Sequence, residues 1–155
     1  MTKAVRLTQI IITVNLLIAC SIIVLMYGFK DLKGLVGDFL LNFATGIAGL
    51  YFAGAFIGKR MDYYIKDKHF NGVMTGIAGL FLILLFGIFT GSTVGFLQKC
   101  INGLGQDTIS EVAIDFYLKP FFWIVLFGFL PTLIMGSILG ICIRKAGVDK
   151  SNVIR

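Results

Sequence analysis

The stretch Gly72–Leu97, GVMTGIAGLFLILLFGIFTGSTVGFL, contains no Asp, Glu, Lys or Arg. About 20 apolar residues in a helix cross the hydrocarbon core of a bilayer, so this stretch predicts a membrane-spanning helix. Three more runs are free of charge in the same way: Leu7–Phe29, Phe39–Gly58 and Pro120–Ile143. The chain is 57% hydrophobic and only 14% charged, against about 25% charged residues in a soluble domain. The predicted fold class is therefore all-α, a polytopic membrane protein with four transmembrane helices.

Because the four runs leave little chain for a soluble domain, we predict a single four-helix transmembrane domain over residues 1–155. The predicted spans TM1 to TM4 cover about residues 7–29, 39–58, 72–97 and 120–143. Pro120 suits a first helical turn, where its missing N–H costs nothing. Pro131 lies in the middle of TM4 and is expected to kink it.

The connector between TM3 and TM4 predicts a short amphipathic helix over about residues 108–118 on the outer surface. Thr108 followed by Glu111 fits a capping box. One apolar helical face recurs at i, i+3, i+4, i+7 and i+8, namely Ile109, Val112, Ala113, Phe116 and Tyr117. This helix is interpreted as a lid that seals the loop against lipid. The alternative is a docking surface or an acidic rim that concentrates cations, formed by Asp107, Glu111 and Asp115.

The basic residues are unevenly distributed between the ends of the predicted spans. Of the 14 Lys and Arg residues, most lie in the N-terminus, the second connector and the C-terminal tail: Lys3, Arg6, Lys59, Arg60, Lys66, Lys68, Arg144, Lys145, Lys150 and Arg155. By the positive-inside rule, these three segments are predicted to be cytoplasmic. The net charge of +6 is therefore not a nucleic-acid signal, and the partner that the apolar spans predict is the lipid bilayer. Short loops favour a bacterial cytoplasmic membrane.

Cys20 allows a second interpretation of the first span. The basic start, the apolar stretch and the sequence Leu17-Ile18-Ala19-Cys20 together resemble a bacterial lipoprotein signal, in which the cysteine is lipidated. The apolar run continues well past Cys20, however, whereas a cleaved signal normally ends its apolar region at the cleavage site. A spanning helix is the favoured interpretation.

The hexamer TGIAGL occurs at Thr45–Leu50 and again at Thr75–Leu80. A phosphate-binding loop is excluded by context, because no strand precedes the hexamers and no Lys-Ser/Thr follows them. Duplication is also disfavoured, since the copies lie in non-equivalent helices of the two halves.

Close helix packing explains the hexamers, because small residues four apart let helix backbones approach in a membrane. The predicted packing residues are Gly46, Gly49, Gly54, Gly58, Gly72, Gly76, Gly87, Gly91, Gly95, Gly136 and Gly140. TM1 has no such ladder, so we expect TM2, TM3 and TM4 to form the tight centre. TM1 is then peripheral or faces a partner.

Groups able to do chemistry are sparse in this chain. His69 is the single histidine and lies beside lysines, and the three cysteines are scattered without metal-ligand spacing. The spans lack the ionisable groups that ion-coupled transporters and intramembrane enzymes use. We therefore expect no enzyme, no cofactor and no metal. The polar residues in the spans cluster most closely in TGSTVG, Thr90–Gly95. Thr90, Ser92 and Thr93 are candidate pore-lining residues. The alternative is that this stretch is a Gly/Ser/Thr seam for helix packing.

Two functions remain open from the sequence. The first is a non-enzymatic membrane-embedded subunit or scaffold that acts through Gly-mediated helix packing with itself or with another membrane protein. The alternative is a homo-oligomeric passive channel or small-solute transporter. These functions differ in one observable, because a channel requires Thr90, Ser92 and Thr93 to face water.

Overall fold

The computed structural model describes residues 2–28, 37 and 40–152, and these residues contain helices and no strand. The helices are α1 (Lys3–Tyr27), α2 (Leu40–Lys66), α3 (Gly72–Asn102), α4 (Ile109–Ala113) and α5 (Lys119–Asn152). One π-helical turn, Ile114–Leu118, joins α4 to α5. Four helical stretches are long and apolar enough to cross a membrane: those of α1, α2, α3 and the joined α4–α5 helix. The predicted all-α class with four apolar helices is confirmed to this extent.

The helices are longer than the charge-free runs that predicted them. α2 continues eight residues past Gly58, to Lys66. Met61 and Ile65 in this extension are buried, and Lys66 pairs with Asp62 one turn earlier. An absence of charge marks the part of a helix that suits lipid, whereas the helix itself continues as long as its backbone bonds and one buried face support it.

Residues 109–118, where the short amphipathic helix is predicted, are helical and form the first part of the last long helix. Its capping box is confirmed, because Thr108 accepts from the Glu111 N–H and the Glu111 carboxylate accepts from the Thr108 N–H. A separate outer helix is not confirmed, since α4 runs into α5 without a break. The proline at position 120 lacks an N–H and crowds the carbonyl one turn back. The chain accommodates it with a wider turn, in which the Lys119 N–H bonds the Ile114 carbonyl.

The four long helices pack side by side, with α3 against α2 and α5, and α1 against α2 and α5. The expectation that the first helix is peripheral is wrong for its N-terminal half, where Ala4, Thr8 and Ile12 are all buried. Its C-terminal half is open, since Leu17 is 63% exposed and Leu25 is 85% exposed.

The contacts of two glycines show which helix ends lie together. Gly58 near the end of α2 approaches Val5 in α1, and Gly72 at the start of α3 approaches Arg144 in α5. The basic N-terminus, the connector between α2 and α3, and the basic part of α5 therefore share one end of the bundle. We call this the basic end, and the end that carries residues 103–118 the opposite end.

Candidate functional site

The closest helix contact is a backbone-to-backbone seam between α3 and α5. A methyl group built on Gly76 would lie 2.7 Å from the Gly140 nitrogen and 2.8 Å from the Gly140 Cα. One built on Gly136 would lie 2.7 Å from the Cα of Ile77. Gly72 and Gly140 face each other in the same way, backbone against backbone. The α3–α5 seam, Gly72, Gly76, Gly136 and Gly140, thus has no room for a side chain.

A second seam joins α2 to α3, and most of it lies in the half of the bundle away from the basic end. A Cβ on Gly91 would lie 2.9 Å from the Asn42 carbonyl and 3.4 Å from the Gly46 Cα. Gly87 packs under Leu50, and Gly49 packs against the side chain of Thr90. Nearer the basic end, Met61 fills the space above Gly79. The α2–α3 seam therefore combines two kinds of contact. At some positions backbone packs against backbone, and at others a side chain of one helix packs over a glycine of the other.

The Gly54/Gly58 pair of α2 packs against α1. Ile12 lies over Gly54, and a Cβ on Gly58 would lie 2.9 Å from the Thr8 hydroxyl and 3.3 Å from the Val5 Cα. A polar contact between the same helices lies farther along, where the Thr13 and Tyr51 hydroxyls are 2.8 Å apart. Glycines on one helix are sufficient for close approach when the partner supplies compact side chains, which explains why α1 packs without a ladder of its own.

Gly95 makes room for the segment that leads into the last helix. Phe116 lies with its ring atoms 2.6 Å from a Cβ built on Gly95, and the Asn42 amide approaches the same point at 2.5 Å. Beside it, the Tyr117 hydroxyl donates to the Thr93 hydroxyl over 3.0 Å. Val112 is buried on the same side. Phe116 and Tyr117 of the predicted apolar face thus pack against α3, whereas Ile109 is 62% exposed.

The candidate pore-lining hydroxyls make different contacts. Thr90 donates to the Phe86 and Gly87 carbonyls of its own helix and touches Gly49 of α2. Thr93 donates to the Phe89 carbonyl and accepts from Tyr117. Ser92 is 8% exposed. Within one chain, Thr90 and Thr93 therefore take part in contacts with neighbouring elements, and Ser92 is buried.

The three acidic residues of the proposed rim each have a close local partner. Asp107 pairs with Lys99 at 3.2 Å, and Asp115 pairs with Lys119 at 2.6 Å. Hydrogen bonds from the backbone N–H and the hydroxyl of Thr108 lower the pKa of Glu111 below its ordinary value. Two neighbouring lysines therefore offset the charges of Asp107 and Asp115, whereas the hydrogen bonds from Thr108 favour the ionised form of Glu111.

A cavity of about 360 Å³ lies between α1, α3 and α5, with Leu50 of α2 at its edge. Its walls are mainly apolar, and Ile12, Ile83 and Phe127 are among them. Two polar side chains, Asn15 and Thr132, also line it. The cavity exists because α1 packs closely through its N-terminal half while its C-terminal half is left exposed. The sequence singled out Asn15 only as a polar residue in a span, and no spacing signal joins residues from four helices into one cavity.

Cysteine and histidine chemistry stays sparse in three dimensions. Within residues 2–28, 37 and 40–152, no group of three or more His, Cys, Asp or Glu side chains could hold a metal ion. Cys20 lies exposed within the unbroken helix α1, and Cys100 and Cys142 are half-buried; all three are free thiols.

Comparison with known proteins adds no relative from which a function could be transferred. No protein family, no curated protein and no solved structure matches this chain.

Proposed function

We propose that this chain is a non-enzymatic integral membrane protein that works as a membrane-embedded subunit or scaffold. One observation carries the proposal: the predicted packing glycines all make their close contacts within one chain. A chain that closes its own seams forms a packed body, and such a body can hold a neighbouring membrane protein in a fixed geometry. The glycines then build the subunit itself, and contacts with a partner fall on its outward surface.

The outward surface is apolar along each of the long helices. Leu25 of α1, Phe52 of α2, Phe89 of α3 and Phe122 of α5 are each more than half exposed. A surface of this kind suits lipid tails or another membrane-spanning helix. The proposed partners are accordingly the lipid bilayer and either a second copy of the chain or another membrane protein.

The arrangement in the membrane follows from charge. Because the basic residues of three segments share one end of the bundle, the positive-inside rule supports both termini in the cytoplasm. Residues 108–118 then form the outer part of the last helix, and we propose that they act as an interfacial lid over α3. A bacterial cytoplasmic membrane is the proposed location.

The test is the mass and composition of the tagged protein extracted from its native membrane in a mild detergent. We expect a complex of fixed stoichiometry, with a second polypeptide or with further copies of the chain. A tagged, unrelated four-span protein extracted in parallel controls for non-specific capture. A single chain with no companion, at the lowest detergent concentration that keeps it soluble, would argue against a subunit.

The alternative, a homo-oligomeric passive channel or small-solute transporter, needs a polar path between copies. Thr90 and Thr93 already donate to their own helix, so the hydroxyl cluster no longer favours this function specifically. Solute flux into liposomes that contain the purified oligomer distinguishes the two functions. Flux that stops on substitution of Thr93 by Val would favour the channel.

A further inference from the structure

We propose that the cavity between α1, α3 and α5 binds a neutral lipophilic molecule that carries one carbonyl or hydroxyl group. This ligand site goes beyond the proposed function, because it is formed by one chain and needs no partner. Its volume of about 360 Å³ lies within the range of about 300–1,000 Å³ typical of small-molecule pockets.

The depth of the cavity decides what could reach it. Thr132 lies 13 residues after Lys119 and 12 residues before Arg144, or about 18–20 Å from each along the helix. The polar part of the cavity is therefore near the middle of the hydrocarbon core. A molecule that reaches this depth from the bilayer must partition into lipid.

Thr132 is one of the hydrogen-bonding side chains in the wall, together with Asn15 and the indole N–H of Trp123. It is 5% exposed, it lines the cavity, and its hydroxyl has no hydrogen-bond partner among the described residues. Several other hydroxyls in the spans are satisfied by their own helix: Thr8 donates to the Ala4 carbonyl at 2.9 Å, and Ser137 donates to the Leu133 carbonyl at 2.7 Å. A polar group left unpaired in hydrocarbon is costly, so a ligand that hydrogen-bonds Thr132 is favoured there.

Asn15 and the backbone of α5 supply further groups that can hydrogen-bond a ligand. The Asn15 amide lines the cavity from the α1 side, and it too has no hydrogen-bond partner in the part of the chain that the structure describes. Pro131, another wall residue, has no N–H to offer the Phe127 carbonyl one turn back. The wall thus holds donors and acceptors from two helices.

The rest of the wall sets the class of ligand. Among the described residues, no Asp, Glu, Lys, Arg or His lines the cavity, so a charged ligand would lie unpaired in a low-dielectric site. The rings of Trp123 and Phe127 are stacked, with centroids 5.8 Å apart and planes inclined by 11°, and both line the cavity. An apolar chain or flat ring fits this wall, while a hydroxyl or carbonyl reaches Thr132 and Asn15. The plain tail of a bilayer lipid fills the space but leaves both polar side chains unpaired.

Trp123 is the single tryptophan of the chain and therefore reports on occupancy. The purified protein in nanodiscs is titrated with a medium-chain primary alcohol that carries bromine at its far end. The bromoalkane of the same length is titrated in parallel. Bromine quenches tryptophan fluorescence on contact, and a hydroxyl held deep in the cavity leaves the bromine near Trp123. We expect saturable quenching by the alcohol at about 3- to 10-fold lower concentration than by the bromoalkane, the factor that one hydrogen bond supplies.

Two variants assign the preference to its groups. Thr132→Val combined with Asn15→Leu is expected to abolish the difference between the alcohol and the bromoalkane. Thr45→Val is the matched control, because Thr45 lies in α2, donates to the Leu41 carbonyl and does not line the cavity; the preference is expected to persist. Equal quenching by both probes in the wild-type protein would mean a lipid-tail groove and would overturn the proposal. So would an absence of saturable quenching, which indicates a cavity closed or filled by a protein partner, or a preference that survives the double substitution.

Discussion

Substituting Gly76 by Ala is expected to destabilise the bundle through the α3–α5 seam. The added methyl group would lie 2.7–2.8 Å from Gly140 backbone atoms and closer still to the Gly136 carbonyl. Carbon atoms pack at about 3.5–4.0 Å, so the two helices must separate by roughly 1 Å at this level. None of the obstructing atoms belongs to a flexible side chain that could turn away.

The expected change in the free energy of unfolding of Gly76→Ala follows from two opposing effects. A gap of about 0.5–1 Å forfeits a quarter to a half of the dispersion energy of each contact, and intrusion into a well-packed interior costs about 1–3 kcal/mol. Alanine recovers up to about 1 kcal/mol, because it is a better helix former than glycine. We therefore expect a net loss of about 1–2 kcal/mol in the free energy of unfolding.

The assay is reversible unfolding by SDS in mixed micelles, followed by circular dichroism and by Trp123 fluorescence. Gly128→Ala is the matched control, since the nearest atom to its added Cβ would be a Leu84 methyl at 3.5 Å, an ordinary contact. The control should unfold at or slightly above the SDS fraction of the wild-type protein. If Gly76→Ala unfolds at the same SDS fraction as Gly128→Ala, the reasoning about the α3–α5 seam is refuted.

Three further predictions test other parts of the molecule. Gly91→Leu places a side chain against the Asn42 carbonyl and Gly46, so it should abolish the folded form that migrates as a compact species in mild detergent; unchanged migration would count against the α2–α3 seam. The Glu111 pKa is lowered by its bonds to Thr108, so the cap stabilises residues 109–118 above the ordinary value of 4.5 and is lost as the pH falls through the lowered pKa. The protection of the Val112 amide, measured as its exchange rate relative to the intrinsic rate at each pH, should fall over that interval in the wild-type protein, and Glu111→Gln should show no such step. Cys100 lies near the opposite end of the bundle, so an impermeant maleimide should label it from outside intact cells; label on Cys142 would invert the proposed topology.

The four apolar helices could be predicted from charge alone, because lipid excludes ionised side chains whatever the packing. The partner of each glycine could not. The TM2 pair Gly54/Gly58 was expected at the TM2–TM3–TM4 centre, and it packs on α1 instead. A glycine shows where a neighbouring helix can approach closely, but it does not show which helix does so. The residues of α1 that pack on this pair, Thr8 and Ile12, follow no recognisable sequence pattern.

Pro120 shows a second limit of sequence reasoning. The sequence predicts that a helix starts there, whereas in the structure the helix continues through this position by a π-helical turn. Local chemistry predicts that proline disturbs a hydrogen bond, but tertiary contacts decide how the chain responds. Here Phe116 over Gly95 and Tyr117 against Thr93 hold the preceding segment on α3. The cavity was equally unpredictable, since it arises where two helices fail to meet.

The central claim is that the glycine seams close within one chain, and a disulfide tests it directly. Cysteines are placed at Gly49 and Thr90, because a Cβ on Gly49 would lie 3.1 Å from the Thr90 Cβ and its nearest neighbours are all Thr90 side-chain atoms. This separation is close to the Cβ–Cβ distance of about 3.5–4.5 Å in a disulfide. The native Cys20, Cys100 and Cys142 are replaced by Ala. Mild oxidation in the native membrane should give a monomer that migrates faster until it is reduced. Disulfide-linked dimers in its place would put the seam between copies and contradict the account.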